Sequence, residues 1–386
     1  MVHKPAFGVS GEKSPIRWDP KNFLDNASMY RNVMAFPRIL EESTTLLGDA
    51  YEAIDGRRVR NVICHGMGGS GISFEFVKAW MRSSLKVPFE VIRDYNAPSY
   101  VNGSTLSISA SYSGDTEETI NCFLKAREAG AQNIVIASGG ELEEVARRLG
   151  VATVKLPGGL PPRAALPYMF APTSQLLEKL GLGEERATEM LIRAVPEVAQ
   201  ALERNAIEIA EERNEAKRLS RALCSRIPVI YGHGLTYAVA LRFKQQLNEN
   251  SKVFSHCNHL PELHHNEIEA FGDAFSRNYV AVLLRSRWEE RRISERFELT
   301  AELLQGRVGE IIQLRSNGST PISEALSMTA VLDLSTVYLA LLNNVDPSSV
   351  SRISTLKKRL NELERFEKGY NAMDGPGKNE SRLITL

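Results

Sequence analysis

Between residues 61 and 156 the chain alternates short apolar runs with longer amphipathic stretches, joined by glycine-bearing turns. The runs at 61–65, 89–93, 106–110, 133–137 and 152–156 have strand length, while 72–81, 117–129 and 141–149 have helical length and period. Such alternation leaves few folds open, and the simplest is a parallel sheet whose crossovers are helices. The texture returns later, with strands expected at 229–231, 279–285 and 310–314 and helices at 237–247, 288–304 and 322–342. Charge-dense helical stretches at 176–182, 187–201 and 207–223 lie between the two halves, and one helical pattern, 25–51, precedes them. The reading is an α/β chain with two mainly parallel sheets flanked by helices. Its expected parts are an N-terminal arm and helix (1–50), a first sheet domain (51–172), linking helices (173–225), a second sheet domain (226–360) and a polar tail (361–386).

The halves share a weak repeat. NVICHGMGGSGISFEFVKAW and PVIYGHGLTYAVALRFKQQ both run strand, glycine turn, helix, so that Gly66 and Gly68 correspond to Gly232 and Gly234. Duplication of one unit would account for this.

Composition narrows the ligand. Lys plus Arg and Asp plus Glu both number 47 in 386 residues, so the formal net charge is zero. There is no broad basic field for nucleic acid or an anionic membrane surface. Four scattered cysteines, Cys64, Cys122, Cys224 and Cys257, form no CxxC pair and fit a reducing compartment. The longest strictly apolar runs, such as 279–284, are strand-sized, and the first residues lack a signal-peptide core. A cytoplasmic protein without a membrane span is the expectation.

Two turns carry hydroxyl groups. Gly66, Gly68 and Gly71 satisfy GxGxxG after a strand, with Gly69 and Ser70 inside the turn, and Asp94 closes the next strand. Alone this would allow a dinucleotide site, or a tight turn with no ligand. The second turn, in LSISASYSGDTEET, clusters Ser111, Ser113 and Thr116 around Gly114 at the start of a helix. Capping needs only one hydroxyl. Three beside a glycine, converging with the first turn at the carboxyl ends of one sheet, favour a single phosphate group. A small phosphorylated molecule is the leading ligand.

GMGGSG, SYSGDTEET and PPRAALPY resemble the sugar isomerase (SIS) domain of the bifunctional phosphoglucose/phosphomannose isomerases. LNENSK, HHNEIEAF and STVYLALLNNVDP…LKKRL continue the resemblance in the same order, from about Asn61 to Leu360. It implies two SIS-type subdomains and interconversion of glucose 6-phosphate and mannose 6-phosphate with fructose 6-phosphate through a cis-enediol. It also implies a homodimer that shares the active site between subunits, and neither metal nor cofactor. One departure is Asp115, where such loops more often carry Asn; an acid there weakens anion binding unless its side chain turns outward to cap a helix.

The reaction needs a proton moved between adjacent carbons, and one carboxylate can serve both. On composition alone, Glu249 in Asn248-Glu249-Asn250 reads as a solvated helix-end acid; the resemblance makes it the base. Histidine suits proton transfer at the ring oxygen, and the resemblance selects His265, with His264 the neighbouring candidate. His256, Cys257, His259, His264 and His265 lie close in sequence, but their spacing matches no zinc signature. Arg163, in an apolar, proline-rich stretch, carries a fixed charge suited to an enediolate. The resemblance places Lys357, with Lys358 adjacent, near the ring oxygen, and Ser348 against the sugar hydroxyls. Gly68, Gly69, Ser70, Ser111, Ser113 and Thr116 would hold the phosphate. Three other readings stay open: a phosphosugar-binding regulator without catalysis, a single-substrate isomerase, and an NAD-dependent oxidoreductase using Asp94.

Overall fold

The computed structural model describes residues 29–272 and 274–373, apart from the side chains of 361 and 364–373. The opening arm and the end of the tail lie outside the described residues. Residues up to Ser348 form one compact unit and those from Ser349 onward a second. Both sheets belong to the first unit.

The single helical pattern expected over 25–51 is broken in the described part. Helix α1 (Met29–Met34) ends before α2 (Phe36–Ser43), because Pro37 is accepted only in a first helical turn. Short 3-10 turns at Ala50–Ala53 and Gly56–Arg58 then lead into the first sheet. That sheet holds β1 (Asn61–His65), β2 (Phe89–Ile92), β3 (Thr105–Ser111), β4 (Gln132–Ala137) and β5 (Ala152–Lys155) in the order β2-β1-β3-β4-β5. Every pairing is parallel, with Val62 opposite Leu106 and Ile108 opposite Ile134. Helices α3 (Gly68–Trp80), α4 (Glu117–Glu128) and α5 (Gly140–Arg148) are the crossovers. Every residue of β3 is buried, as a central parallel strand covered on both faces requires.

Helices α6 (Leu166–Lys179), α7 (Ala187–Glu203) and α8 (Glu215–Leu223) lead to the second sheet. The helix expected over 207–223 is shorter than its periodicity suggested. The Asn214 side chain accepts from the Lys217 amide at 2.9 Å and starts α8 there, so 205–213 is a loop with one 3-10 turn. The second sheet joins β6 (Ile227–Gly232), β7 (His256–His259), β8 (Tyr279–Leu284) and β9 (Glu310–Leu314) in the order β7-β6-β8-β9, again all parallel. Helices α9 (Leu235–Glu249), α10 (Arg291–Leu304) and α11 (Pro321–Leu342) complete this half. Strand β7, sequence HCNH, escaped the sequence reading because an edge strand without an apolar face carries no period-2 signal. Gly68 and Gly234 open α3 and α9 with φ of +48° and +54°, so the two repeated turns use the same left-handed glycine. The second unit contains α12 (Ser351–Met373), which carries helix into the stretch read as a tail.

Helix α11 organises the core. It packs against α7, α8 and α9. Its length and hydropathy would suit a bilayer, yet 83% of its apolar stretch is buried inside the protein. Interspersed Ser and Thr kept it from standing out as an apolar run. It also carries a buried acid, Asp333, which accepts from Arg242 of α9 at 2.6 and 3.1 Å, each side chain 3% exposed. Arg242 also reaches beyond Asp333. Its Nη2 bonds the Arg163 carbonyl oxygen at 2.9 Å and ties α9 to the segment that follows the first sheet.

In the first sheet His65 is 1% exposed, with Nε2 3.0 Å from the Ser107 hydroxyl and its other ring nitrogen against the Cys122 sulfur. Burial lowers its pKa from 6.5 to about 4. Between those values the unfolded chain takes up a proton that the folded chain refuses. Stability is therefore full above pH 6.5 and falls as the pH drops toward 4. His65→Gln should flatten this acid limb by about 3 kcal/mol in urea titrations across that range; an unchanged limb would contradict the assignment. Asp333→Ala leaves Arg242 buried without its carboxylate. It should cost about 3–5 kcal/mol in the same assay, and a loss well below that would mean Arg242 finds solvent.

Candidate active site

The site is assembled from turns at the carboxyl ends of the first sheet and from the end of α9. After β1 the chain turns through Gly66 and Met67 into α3, whose N-terminus has no side-chain cap. Gly69 makes the turn possible, since a Cβ there would lie 2.7 Å from the Pro162 carbonyl oxygen and 3.3 Å from the Arg163 Cα. The backbone of the first turn is thus pressed directly against the arginine segment. Ser70, 6% exposed, accepts from the Tyr112 amide at 3.3 Å and joins this turn to the one after β3.

In the second turn the hydroxyls of Ser111 and Thr116 bond each other at 2.9 Å, and Ser111 Oγ also accepts from the Gly114 amide at 3.0 Å. Gly114 has φ +77°, and a Cβ there would collide with the Gly139 carbonyl at 1.8 Å. The Ser113 hydroxyl, on an exposed residue, accepts from the Asp115 amide at 3.3 Å. Thr116 stands at the N-cap of α4 but makes no side-chain capping bond. Asp115 does turn away. Its Oδ1 accepts from the Glu141 amide at 3.1 Å, at the start of α5, where a carboxylate suits the helix dipole. Asp94 is likewise engaged within its own turn, accepting from the Asn96 amide at 3.0 Å.

Arg163 lies in the 3-10 turn Pro162–Ala164 and is 5% exposed. Nε donates to Asn250 Oδ1 at 2.7 Å, and Nη2 to the carbonyls of Pro347 and Ser348 at 2.7 and 3.0 Å. Nη1 stands 3.7 Å from Glu249 Oε2. Asn250 is itself held by donating to Thr336 Oγ1 of α11 at 2.9 Å. Glu249, expected just beyond its helix, is the last residue of α9, and its side chain is 27% exposed. Lys252, with φ +59°, folds its ammonium back onto the carbonyls of Glu249, Asn250 and Asp346. Burial and the nearby Arg163 lower its pKa. An amine placed on the terminal carbonyls of α9 fixes the end of the helix that carries Glu249. Asn250, Lys252, Arg242 and Thr336 were not legible as site residues. Only LNENSK pointed at two of them, and nothing in its pattern distinguished a brace from a surface turn.

The histidines disperse. His264 is bonded through Nε2 to Thr300 Oγ1 at 2.8 Å, and its Nδ1 lies 3.0 Å from Arg296 Nη1; burial and Arg296 lower its pKa. With both ring nitrogens engaged, His264 is a tie to α10. His265 is exposed, and among the described residues it makes no hydrogen bond or ion pair with Arg163 or Glu249. His256 pairs with Glu267 at 2.9 Å, and His259 packs on Tyr237. Burial alone would raise the Glu267 carboxyl, but bonds from Tyr231, Asn258 and His256 hold it below its ordinary value. Among the described residues no group of three His, Cys, Asp or Glu could hold a metal ion. Lys357 and Lys358 are exposed on α12, in the second unit, where Lys358 lies 3.9 Å from Glu362.

Hydroxyls, uncapped helix N-termini, a buried arginine and a half-buried carboxylate can bind an anion and move a proton beside a fixed positive charge. The second repeated turn lacks this equipment, since its Thr236 hydroxyl is spent on the His233 amide at 2.9 Å. Residues 212–360 match the family described as bacterial phospho-glucose isomerase C-terminal SIS domain. A bifunctional phosphoglucose/phosphomannose isomerase of Caldicellulosiruptor bescii is 34% identical over 341 residues, which are 87% of this chain and all of that protein. The protein of the same name from Aquifex aeolicus is 31% identical over 303 residues, 78% of this chain and 90% of that one. The C-terminal domain of glucosamine-fructose-6-phosphate aminotransferase from Francisella tularensis superposes with a TM-score of 0.68 at 17% identity, covering 86% of this chain and all of that one, a likeness of fold alone. An identity of 34% sustained over the full length of a relative, on a chain that sets Arg163 beside Glu249 under two hydroxyl-lined turns, places this protein in the bifunctional phosphoglucose/phosphomannose isomerase family.

Proposed function

We propose that this protein is an aldose–ketose isomerase that interconverts glucose 6-phosphate and mannose 6-phosphate with fructose 6-phosphate. The observation that carries the chemistry is the Arg163–Glu249 pair, 3.7 Å apart, with the arginine buried and the glutamate partly open. The phosphate sits on the hydroxyls of Ser70, Ser111, Ser113 and Thr116 and the first-turn amides of α3 and α4, with Gly68 and Gly69 admitting it close to the backbone. Glu249 takes the C2 proton and returns it to C1. Arg163 has three of its donors committed to Asn250 and two carbonyls, so its charge is already in place when negative charge develops on the enediolate. Glucose and mannose 6-phosphates differ at C2 and reach the same enediol, so one base serves both if the pocket admits either configuration.

Ring opening falls to His265, contributed by a second copy of the chain, because the single chain leaves it exposed and unattached to the pair. Lys357 supports the ring oxygen, and Ser348 borders the sugar hydroxyls. No metal or cofactor enters this scheme. The working assembly is a homodimer in the cytoplasm, in keeping with four free thiols and with the neutral charge that argues against nucleic-acid and membrane partners.

Glu249→Gln should lower kcat about 10²–10⁴-fold for both aldoses in a coupled assay while sugar phosphate still binds. A near-normal rate would remove Glu249 as the base, and wild-type turnover of one aldose alone would restrict the enzyme to a single substrate. Ser111→Ala combined with Thr116→Val should instead act on KM, raising it about tenfold or more through lost charge-assisted bonds. An unchanged KM would move the phosphate elsewhere.

A further inference from the structure

A cavity of about 710 Å³ lies away from the isomerase residues, between α7, the 205–218 segment and the turn after β9. Its walls carry five arginines, Arg204, Arg213, Arg218, Arg287 and Arg315, against two acids, Glu197 and Glu215. Like charges converging on one cavity repel, and such an arrangement is favourable when an anion sits among them. Among the described residues no hydrogen bond or ion pair engages the guanidinium groups of Arg204, Arg213 or Arg315, which line the cavity uncommitted, while the charge of Arg287 is felt by Glu197. One acid is already spent: Glu197 accepts from the Ser319 amide at 2.8 Å and from its hydroxyl.

The walls are braced. Asn214 donates to the carbonyls of Asn205 and Ala206 at 2.8 and 3.0 Å, and the buried Lys217 ammonium to those of Ile207 and Ile209, both at 2.7 Å. Arg221 clasps Glu211 with two donors. The segment bearing Arg204, Arg213 and Arg218 is therefore cross-tied, while Glu197 ties the opposite turn to α7. A rigid, arginine-lined cavity of this size suits a small organic anion. A single phosphate monoester brings too little charge to balance this excess.

We propose that this cavity binds a small molecule bearing two or more linked phosphate groups, at a site separate from the isomerase centre. The test is calorimetric titration of the full-length protein with tripolyphosphate and with ATP at roughly 0.15 M salt, where exposed long-range attraction is screened. At least one of the two should bind once per chain, undiminished by saturating glucose 6-phosphate. Tighter ATP binding would identify a nucleotide, and tighter tripolyphosphate binding a bare phosphate chain. Arg204→Ala with Arg315→Ala should weaken binding about tenfold or more. The exposed α10 pair, as Arg291→Ala with Arg292→Ala, should change it less than about twofold. Far-UV dichroism and melting verify that both variants fold. Binding of neither probe, displacement by glucose 6-phosphate, or equal effects of the two double variants would overturn the proposal.

Discussion

Arg242 is the fixed point from which the site is built. Its guanidinium is buried between α9 and α11, bonded twice to Asp333 and once to the Arg163 carbonyl. A buried ion pair adds little net stability over apolar packing, because desolvation consumes most of its attraction. Its value here lies in geometry. A guanidinium with a carboxylate on one side and a peptide oxygen on the other permits one placement of the 3-10 turn relative to the two helices. Arg163 leaves that turn and meets Asn250, which α11 holds through Thr336 one turn after Asp333. One helix thus positions both the backbone and the side chain of the arginine.

The two tasks of the site use different chemistry. In the proposed site, phosphate recognition falls to neutral donors, hydroxyls and helix-start amides, which need no counter-charge of their own. Stabilisation of developing charge would fall to one arginine that is already desolvated and bonded. A chain with balanced charge can therefore handle an anionic substrate without a basic field. The arginine-lined cavity follows the opposite strategy, with uncommitted guanidinium groups in place of oriented dipoles.

How far the amino-acid sequence reveals all this follows the range of the interactions involved. The first sheet was readable nearly residue by residue, because a parallel strand buried on both faces is an uninterrupted apolar run and the glycine turns separate runs from helices. The hydroxyl turns were readable too, since their residues are neighbours in sequence. Edge strand β7 was not, because a half-exposed HCNH has no periodic signal. The one-helix reading of 25–51 overlooked Pro37, and that of 207–223 overlooked Asn214 as a cap. Asn250, Lys252, Arg242 and Thr336 escaped for a different reason. The contacts of Asn250 and Arg242 with Arg163 span as many as 87 residues of chain, and no local pattern records a partner at that distance. The proposed role of His265 sets it in a second copy of the chain, and no local pattern in one chain records that.

Arg163 donates to the 347–348 turn through the peptide oxygens of Pro347 and Ser348. A carbonyl is common to every residue, so these two bonds are indifferent to which side chains occur there as long as the backbone keeps its path, and Pro347 narrows the paths available. As far as these two bonds go, the Arg163 charge and the side chain at position 348 are separable under mutation. On the proposed placement of residue 348 beside the sugar hydroxyls, single substitutions there could shift the tolerance for one sugar over another while these two bonds to the arginine persist.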